Sequence, residues 1–266
     1  MKKTLLSLLL LGVAALTLAQ VTPTGRITKT FPPSGATTGS IGSSGPQSPS
    51  TLLNGLVTVW PLSSDGSDLV GGKTLTNNGG VTFVAKGGGA PAGMPATVAN
   101  FAGAQSMSVA DPFYLPIGTY SAWAYVNAAG ATRAIVAKDD TGAQRDFEFY
   151  VLGSGAYEAF AWNTVGGTAS ANVTGFTAAT WHHVLFEVTA ANEIKIQLDG
   201  GTVGTSSLGD VLRNGTSPLY IGALNGGFVF WNGLISSVIV WSRTLTATEK
   251  ACLEAGAFYP FTGVCS

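Results

Sequence analysis

The stretch Ile194-Lys195-Ile196-Gln197-Leu198-Asp199-Gly200-Gly201-Thr202-Val203 decides the fold class. Apolar side chains at 194, 196 and 198 alternate with Lys195 and Gln197, the period-two pattern of a strand with one buried face. Asp199-Gly200 then supplies a tight turn, because both residue types tolerate a positive φ. Thr202-Val203 begins the return strand. A hairpin with one wet and one dry face has to cover its dry face with something else.

The sequence on either side repeats this grammar. From Leu52 to Ser266, short apolar runs are separated by Gly, Asn, Asp and Ser clusters about every 8 to 12 residues, the spacing of a sandwich or barrel. Strands are expected at Leu56–Leu62, Val81–Lys86, Thr97–Phe101, Ser106–Ala110, Thr119–Asn127 and Arg133–Lys138. Others are expected at Asp146–Leu152, Tyr157–Asn163, His182–Val188, Ile194–Leu198, Leu219–Ile221 and Leu234–Trp241. One helix is expected over Thr246–Ala255. Thr246 is a capping residue, Glu249 completes a capping box three positions on, and Gly256 stands where a terminating glycine belongs. The expected architecture is all-β, a two-sheet antiparallel sandwich in a single domain, 52–266, with one short C-terminal helix.

Composition agrees and narrows the function classes. The chain has 266 residues with only 13 Lys plus Arg and 14 Asp plus Glu, but 36 Gly, 6 Trp, 7 Tyr and 13 Phe. That is ample material for a core. A net charge of −1 gives no electrostatic footprint for nucleic acid. No phosphate loop, CxxC, HExxH or nucleophile elbow occurs.

The first fifty residues read differently. Lys2 and Lys3 precede an uncharged run from Leu5 to Ala19, with small residues at Thr17 and Ala19. The run is short for a membrane span, so 1–19 is expected to be a secretory signal peptide, with an uncleaved anchor as the alternative. In the next block, 20–51, Gly, Pro, Ser and Thr make up 23 of the residues from Val21 to Thr51. It cannot bury enough apolar surface to offset its ordering entropy and is expected to be a flexible linker. No later segment is long and apolar enough to insert into a membrane. From Leu52 onward the chain carries 9 basic and 14 acidic residues, a net of −5, so a mildly acidic module follows a neutral tether. That balance favours uncharged or weakly polar ligands over polyanionic glycans. Cys252 and Cys265, on the helix and at the penultimate position, are expected to pair in an oxidising compartment. Such a bridge would contribute on the order of 3 kcal/mol.

The ordered landmarks resemble the laminin-G-like, concanavalin A-type lectin and glucanase jelly rolls. Gly55-Leu56-Val57-Thr58-Val59-Trp60-Pro61-Leu62 looks like the family's opening strand, and Asn100-Phe101-Ala102-Gly103 resembles its Phe-Asp-Gly turn. Tyr120-Ser121-Ala122-Trp123, Thr180-Trp181-His182-His183-Val184 and Leu198-Asp199-Gly200 are similar to three further segments. Leu219-Tyr220-Ile221-Gly222, Asn232-Gly233-Leu234-Ile235 and Leu245-Thr246-Ala247-Thr248-Glu249 match the closing strands and helix. The resemblance runs from about Leu53 to Ala257 and implies the fold far more than a function. Two departures bear on calcium: Ala102 replaces the turn's Asp, and Ser236 and Ser237 stand where many relatives have paired acids. Asp65, Asp68 and Asn77 remain as loop oxygen donors, to be weighed against plain solvated loop polarity. No cofactor or metal is expected on this motif.

Candidate chemistry concentrates in the middle of the chain. Asp146-Phe147-Glu148 places two acids on one strand face, but the glucanase pattern Glu-x-Asp-x-Glu is broken, since Tyr150 takes the third position. No catalytic residue is therefore assigned. His182 and His183 point to opposite faces as strand neighbours and are read as packing and hydrogen-bonding residues. A sugar needs a ring to stack on and polar groups beside it. Glu148 and Tyr150 share one strand face, and Glu158, Phe160 and Trp162 another. Glu148, Tyr150, Trp162 and Asn163 are thus the candidate ligand-binding residues, with burial in the core an equal alternative for Trp162 and Trp231. Trp60, Trp123, Trp181 and Trp241 are expected in the core. The expectation is a secreted or surface-displayed, non-catalytic binding module for carbohydrate or glycoprotein. A structural or adhesion protein contacting other extracellular proteins is the alternative, and a glycoside hydrolase a third reading.

Overall fold

The structure, a computed structural model, describes residues 51–140, 144–225 and 227–261. The expected signal peptide, nearly all of the expected linker, and Cys265 lie outside the described residues.

A short 3-10 turn at Thr51–Leu53 leads into two antiparallel sheets. One sheet contains β1 (Leu56–Trp60), β3 (Thr82–Ala85), β4 (Thr97–Ala102), β6 (Gly118–Val126), β11 (Trp181–Val188), β12 (Glu193–Leu198), β13 (Val203–Ser207) and β15 (Asn232–Trp241). Its order is β13-β12-β11-β6-β15-β4-β3, with β1 also paired to β15. The other sheet contains β2 (Thr76–Asn78), β5 (Ser106–Val109), β7 (Arg133–Lys138), β8 (Phe147–Val151), β9 (Tyr157–Trp162), β10 (Thr168–Val173) and β14 (Leu219–Ile221), in the order β10-β9-β8-β7-β14-β5-β2. The expected two-sheet sandwich is what forms.

The hairpin that opened the sequence reading closes as expected. Asp199 and Gly200 have φ of 49° and 64°, and the Gly201 N–H donates to the Leu198 carbonyl at 2.8 Å. The first strand stops at Trp60 rather than Leu62, because Pro61 lacks a donor and Leu62 has a φ of 55°. Two strands were not expected from the sequence, β2 and β10. Thr168-Ala169-Ser170-Ala171-Asn172-Val173 alternates in burial, but its inward residues are too small to register as an apolar run. At the start of β15, Gly233 has a φ of 145°, and a Cβ there would lie 2.0 Å from the Tyr125 carbonyl oxygen. Only glycine lets β15 approach β6 there.

The main core lies between the sheets and includes Trp60, Phe101, Tyr120, Phe147, Phe149, Tyr157, Phe186 and Trp231. Two smaller clusters cover the back of the eight-stranded sheet. In one, Leu185, Ile239 and Trp241 pack under Leu245 and Leu253 of helix α1 (Ala247–Glu254). In the other, Trp123 and Trp181 pack with Met94 and Val98. The helix has the expected capping box: Thr246 Oγ1 accepts from the Glu249 N–H, and Glu249 accepts from the Thr246 N–H. Gly256, with a φ of 86°, follows the C-cap residue Ala255. Cys252 is half-buried against the helix cluster. The two histidines face opposite ways. His182 bonds Asp199 and Thr177, while His183 joins Ser121 at 2.8 Å to Glu254 of α1 at 2.8 Å. The two smaller clusters leave a cleft of about 700 Å³ beside β12, β13 and the helix, lined by Leu185, Gln197, Val203 and Lys250, whereas the candidate ligand-binding side chains lie on the seven-stranded sheet.

Candidate functional site: the outer face of the seven-stranded sheet

Strand alternation assigns the side chains. Phe147, Phe149 and Val151 of β8, Tyr157, Ala159 and Ala161 of β9, and Ala169, Ala171 and Val173 of β10 all join the core. Glu148 and Tyr150, Glu158, Phe160 and Trp162, and Thr168, Ser170 and Asn172 therefore point outward. The sheet register aligns Ser170, Phe160, Glu148, Ala137, Tyr220, Ser108 and Thr76 in one row that crosses all seven strands. A parallel row runs through Asn172, Glu158, Tyr150 and Ala134. Ala134 and Ala137 are small and buried, and they separate Tyr150 and Glu148 in register from Tyr220. A cleft of about 400 Å³ opens at the far end of the first row, lined by Asn78, Ser106, Ser108, Tyr220 and Asn225.

Of the four expected site residues, Glu148, Tyr150 and Trp162 meet on this face. Trp162 is outside the core cluster but is only 8% exposed, because the Arg145 guanidinium lies over its ring, 4.0 Å from the centroid. Phe160 flanks it at 4.7 Å between centroids. The half-buried rings left to meet a ligand are Tyr150, Phe160 and Tyr220. Asn163 is buried at the edge of β9, where its side chain organises a turn. Its amide nitrogen donates to the Leu208 carbonyl, and its amide oxygen accepts from the Val165 and Gly167 N–H groups. Trp231, for which the sequence left two readings, is fully buried in the core.

The polar groups on the face differ in how well they are paired. Asp139 holds Arg145 through two bonds of 2.5 and 3.0 Å. Glu158 accepts from Ser170 Oγ at 2.6 Å. Glu148 makes no hydrogen bond to any described residue, although it is only 8% exposed. Burial, reinforced by the charges of Asp139 and Glu158, pushes its carboxyl up to about 7 against the pull of Arg145. Burial and the two glutamates also push the Tyr150 phenol up.

The expectation that Asp146 and Glu148 present a carboxyl pair on one face needs correction. Asp146 precedes β8, so strand alternation does not govern it. Its carboxylate binds the ammonium of Lys138 and the Gly215 N–H. Lys138 pairs in register with inward-facing Phe147 and also contacts Asp111 at 3.0 Å and the Gly215 carbonyl at 2.6 Å. Asp146 is thus committed to a buried ion pair, and Glu148 stands apart from it. Burial raises the Asp146 carboxyl to about 6 in spite of Lys138.

The loop residues weighed for calcium serve the chain itself. Asp68 accepts from the N–H groups of Val59, Val70, Gly71 and Lys73, and Asn77 pairs with both backbone groups of Val81. Ser236 and Ser237 are buried and hydrogen-bond each other. Among the described residues no three His, Cys, Asp or Glu side chains cluster as a metal site.

Sequence reasoning missed Arg145, Asp139, Ala137 and Tyr220. The first two lie at the edge of a strand, and the others join the face only through the pairing of β7 with β8 and β14. Tyr220 alone left a signal, being the one outward residue between Leu219 and Ile221.

Comparison with known proteins bears on the fold. The binding domain of Paraclostridial Mosquitocidal Protein 1 superposes with a TM-score of 0.58 at 14% identity, covering 75% of this chain and 52% of that one. The receptor binding domain of botulinum neurotoxin C/D mosaic serotype gives 0.57 at 10% identity, covering 76% and 51%. Domain 4 of AbnA, a GH43 extracellular arabinanase from Geobacillus stearothermophilus solved with arabinotriose, gives 0.53 at 15% identity, covering 73% and 95%. The chain spans about half the length of the two toxin domains and nearly all of the arabinanase domain. No curated protein sequence matches it. Residues 101–249, which hold most of both sheets and the face just described, match a family model. By fold and by sequence, the chain belongs to the concanavalin A-like lectin/glucanases superfamily.

Proposed function

We propose that this protein is a secreted, non-catalytic carbohydrate-binding module whose ligand lies across the outer face of the seven-stranded sheet. The observation that carries the reading is the row Ser170-Phe160-Glu148-Ala137-Tyr220 with Tyr150 beside it. There, half-buried rings lie beside a carboxyl that has no donor among the described residues. Sugar C–H faces pack on rings while hydroxyls need polar partners, and this surface supplies both. The commitment of Asp146 to Lys138 removes the same-strand carboxyl pair of the glucanase pattern, and Glu158, the diagonal neighbour of Glu148, is itself bonded to Ser170; both support binding over hydrolysis. The shared fold with a domain solved with arabinotriose supports the choice of ligand class. In this reading the signal peptide directs export and residues 20–51 form a flexible tether to the module. Cys252 and Cys265 then tie the tail to the helix.

The test is a glycan array followed by calorimetric titration of the full chain. We expect binding to a subset of glycans, weakened at least about tenfold by Tyr150→Ala or Phe160→Ala, as for a ring that anchors a ligand. Trp162→Ala should act less directly, since Arg145 already covers that ring. Flat binding across the array, or hits unaffected by both ring variants, would remove carbohydrate recognition from this face.

A further inference from the structure

Glu148 is an outward-facing carboxyl, 8% exposed, that makes no hydrogen bond to any described residue. The other acids around it are committed: Asp139 to Arg145, and Glu158 to Ser170. The oxygens of Glu148 reach solvent and have no donor among the described residues, so a ligand hydroxyl placed over the carboxyl can take the place of water there. We propose that Glu148 is the specificity-determining residue of this face, accepting a hydrogen bond from an uncharged sugar and excluding sugars that carry a carboxylate or sulfate.

The proposal rests on the carbohydrate-binding reading above and adds the chemical class of the sugar. Charge supplies the second argument. Three carboxyls, those of Asp139, Glu148 and Glu158, surround the position, against the single guanidinium of Arg145. Asp139 holds that guanidinium along one edge, and its face packs on Trp162. Lys138, the nearest other cation by register, faces inward and is bound by Asp111 and Asp146. An acidic sugar would therefore meet three carboxyls against one guanidinium that Asp139 already holds along one edge, an arrangement that selects against a partner by repulsion. The raised titration of Glu148 is consistent with this environment, and both of its protonation states can accept from a hydroxyl.

The test is a paired panel titrated against the full chain at pH 8 and moderate salt: lactose with 3′-sialyllactose, and galactan with galacturonan oligosaccharides. Wild type, Glu148→Gln and Tyr150→Ala are compared after a thermal melt shows that each is folded. We expect the neutral member of any bound pair to bind at least about tenfold more tightly, and Glu148→Gln to shrink that ratio at least about threefold, as removal of a repulsive charge does. A wild type that prefers the acidic member, or a ratio that Glu148→Gln leaves unchanged while Tyr150→Ala weakens binding, would overturn the specificity assignment and leave the carbohydrate reading standing. Absence of binding to every sugar in both the panel and the array would overturn the two together.

Discussion

Replacing Glu148 with Gln should stabilise the protein in alkaline buffer and not in acid. In the folded state the Glu148 carboxyl keeps its proton up to about pH 7, whereas the unfolded chain releases it near the ordinary value of 4.5. Between those two values the folded state binds the extra proton, so wild-type stability falls as pH rises. At about 1.4 kcal/mol per pH unit, the full interval corresponds to about 3 kcal/mol lost by pH 8 and retained below pH 4.5. Glutamine does not titrate. Its own buried amide adds a fixed penalty of about 1–3 kcal/mol that is the same at every pH. The quantity to read is therefore the change in the difference between variant and wild type, not the difference at one pH. Asp146 is also raised, to about 6, but is present in both proteins and cancels. Urea unfolding curves for both proteins at pH 4, 5.5, 7 and 8.5 give the numbers. The stability difference should move in favour of the variant by about 3 kcal/mol across that range. If it stays constant to within about 0.5 kcal/mol, Glu148 titrates like a solvated acid and the desolvated site is wrong. A variant that folds better in alkali and binds sugar less selectively would show a site maintained at the expense of stability.

Two further outcomes follow from carboxylates placed elsewhere. Glu249 is pulled down to about 2 by its pairing with Arg243 at 2.7 Å, helped by the Thr246 N–H, so Glu249→Gln should destabilise the fold by about 2–3 kcal/mol at pH 7. Because its folded value is depressed, that contribution exists above pH 4.5 and fades as pH falls towards 2; thermal melts at pH 7 and pH 2.5 should show the variant gap closing. Lys138→Met removes the cation from between Asp111 and Asp146 and should cost about 3–5 kcal/mol in chemical denaturation, with Lys138→Met/Asp146→Leu recovering much of the loss.

The helix shows how far local sequence reaches. Thr246, Glu249 and Gly256 act within about one turn of their own backbone, so their roles could be read directly and the structure has them as expected. The same is true of Asp199-Gly200. Strand β10 shows the limit on the fold side, because an alternation of Ala with Ser, Thr and Asn becomes a strand only when β9 offers it an edge. Asp146 shows the limit on the site side. Its spacing from Glu148 suggested a shared face, yet one residue outside the strand it answers to Lys138, Gly215 and the interior.

By itself the sequence determined the class of fold, the hairpin, the capped helix and the two same-face sets Glu148–Tyr150 and Glu158–Phe160–Trp162, but not whether those faces point outward, because strand period and turn chemistry are properties of neighbours along the chain. Only the tertiary structure decided which face those sets share, that Arg145 covers Trp162, that Asn163 is spent on a turn, and that Ala137 and Tyr220 complete the row. Those relations depend on register between strands distant in sequence, and on a helix covering the opposite sheet. Long-range pairing and burial fix both, and no local pattern records them.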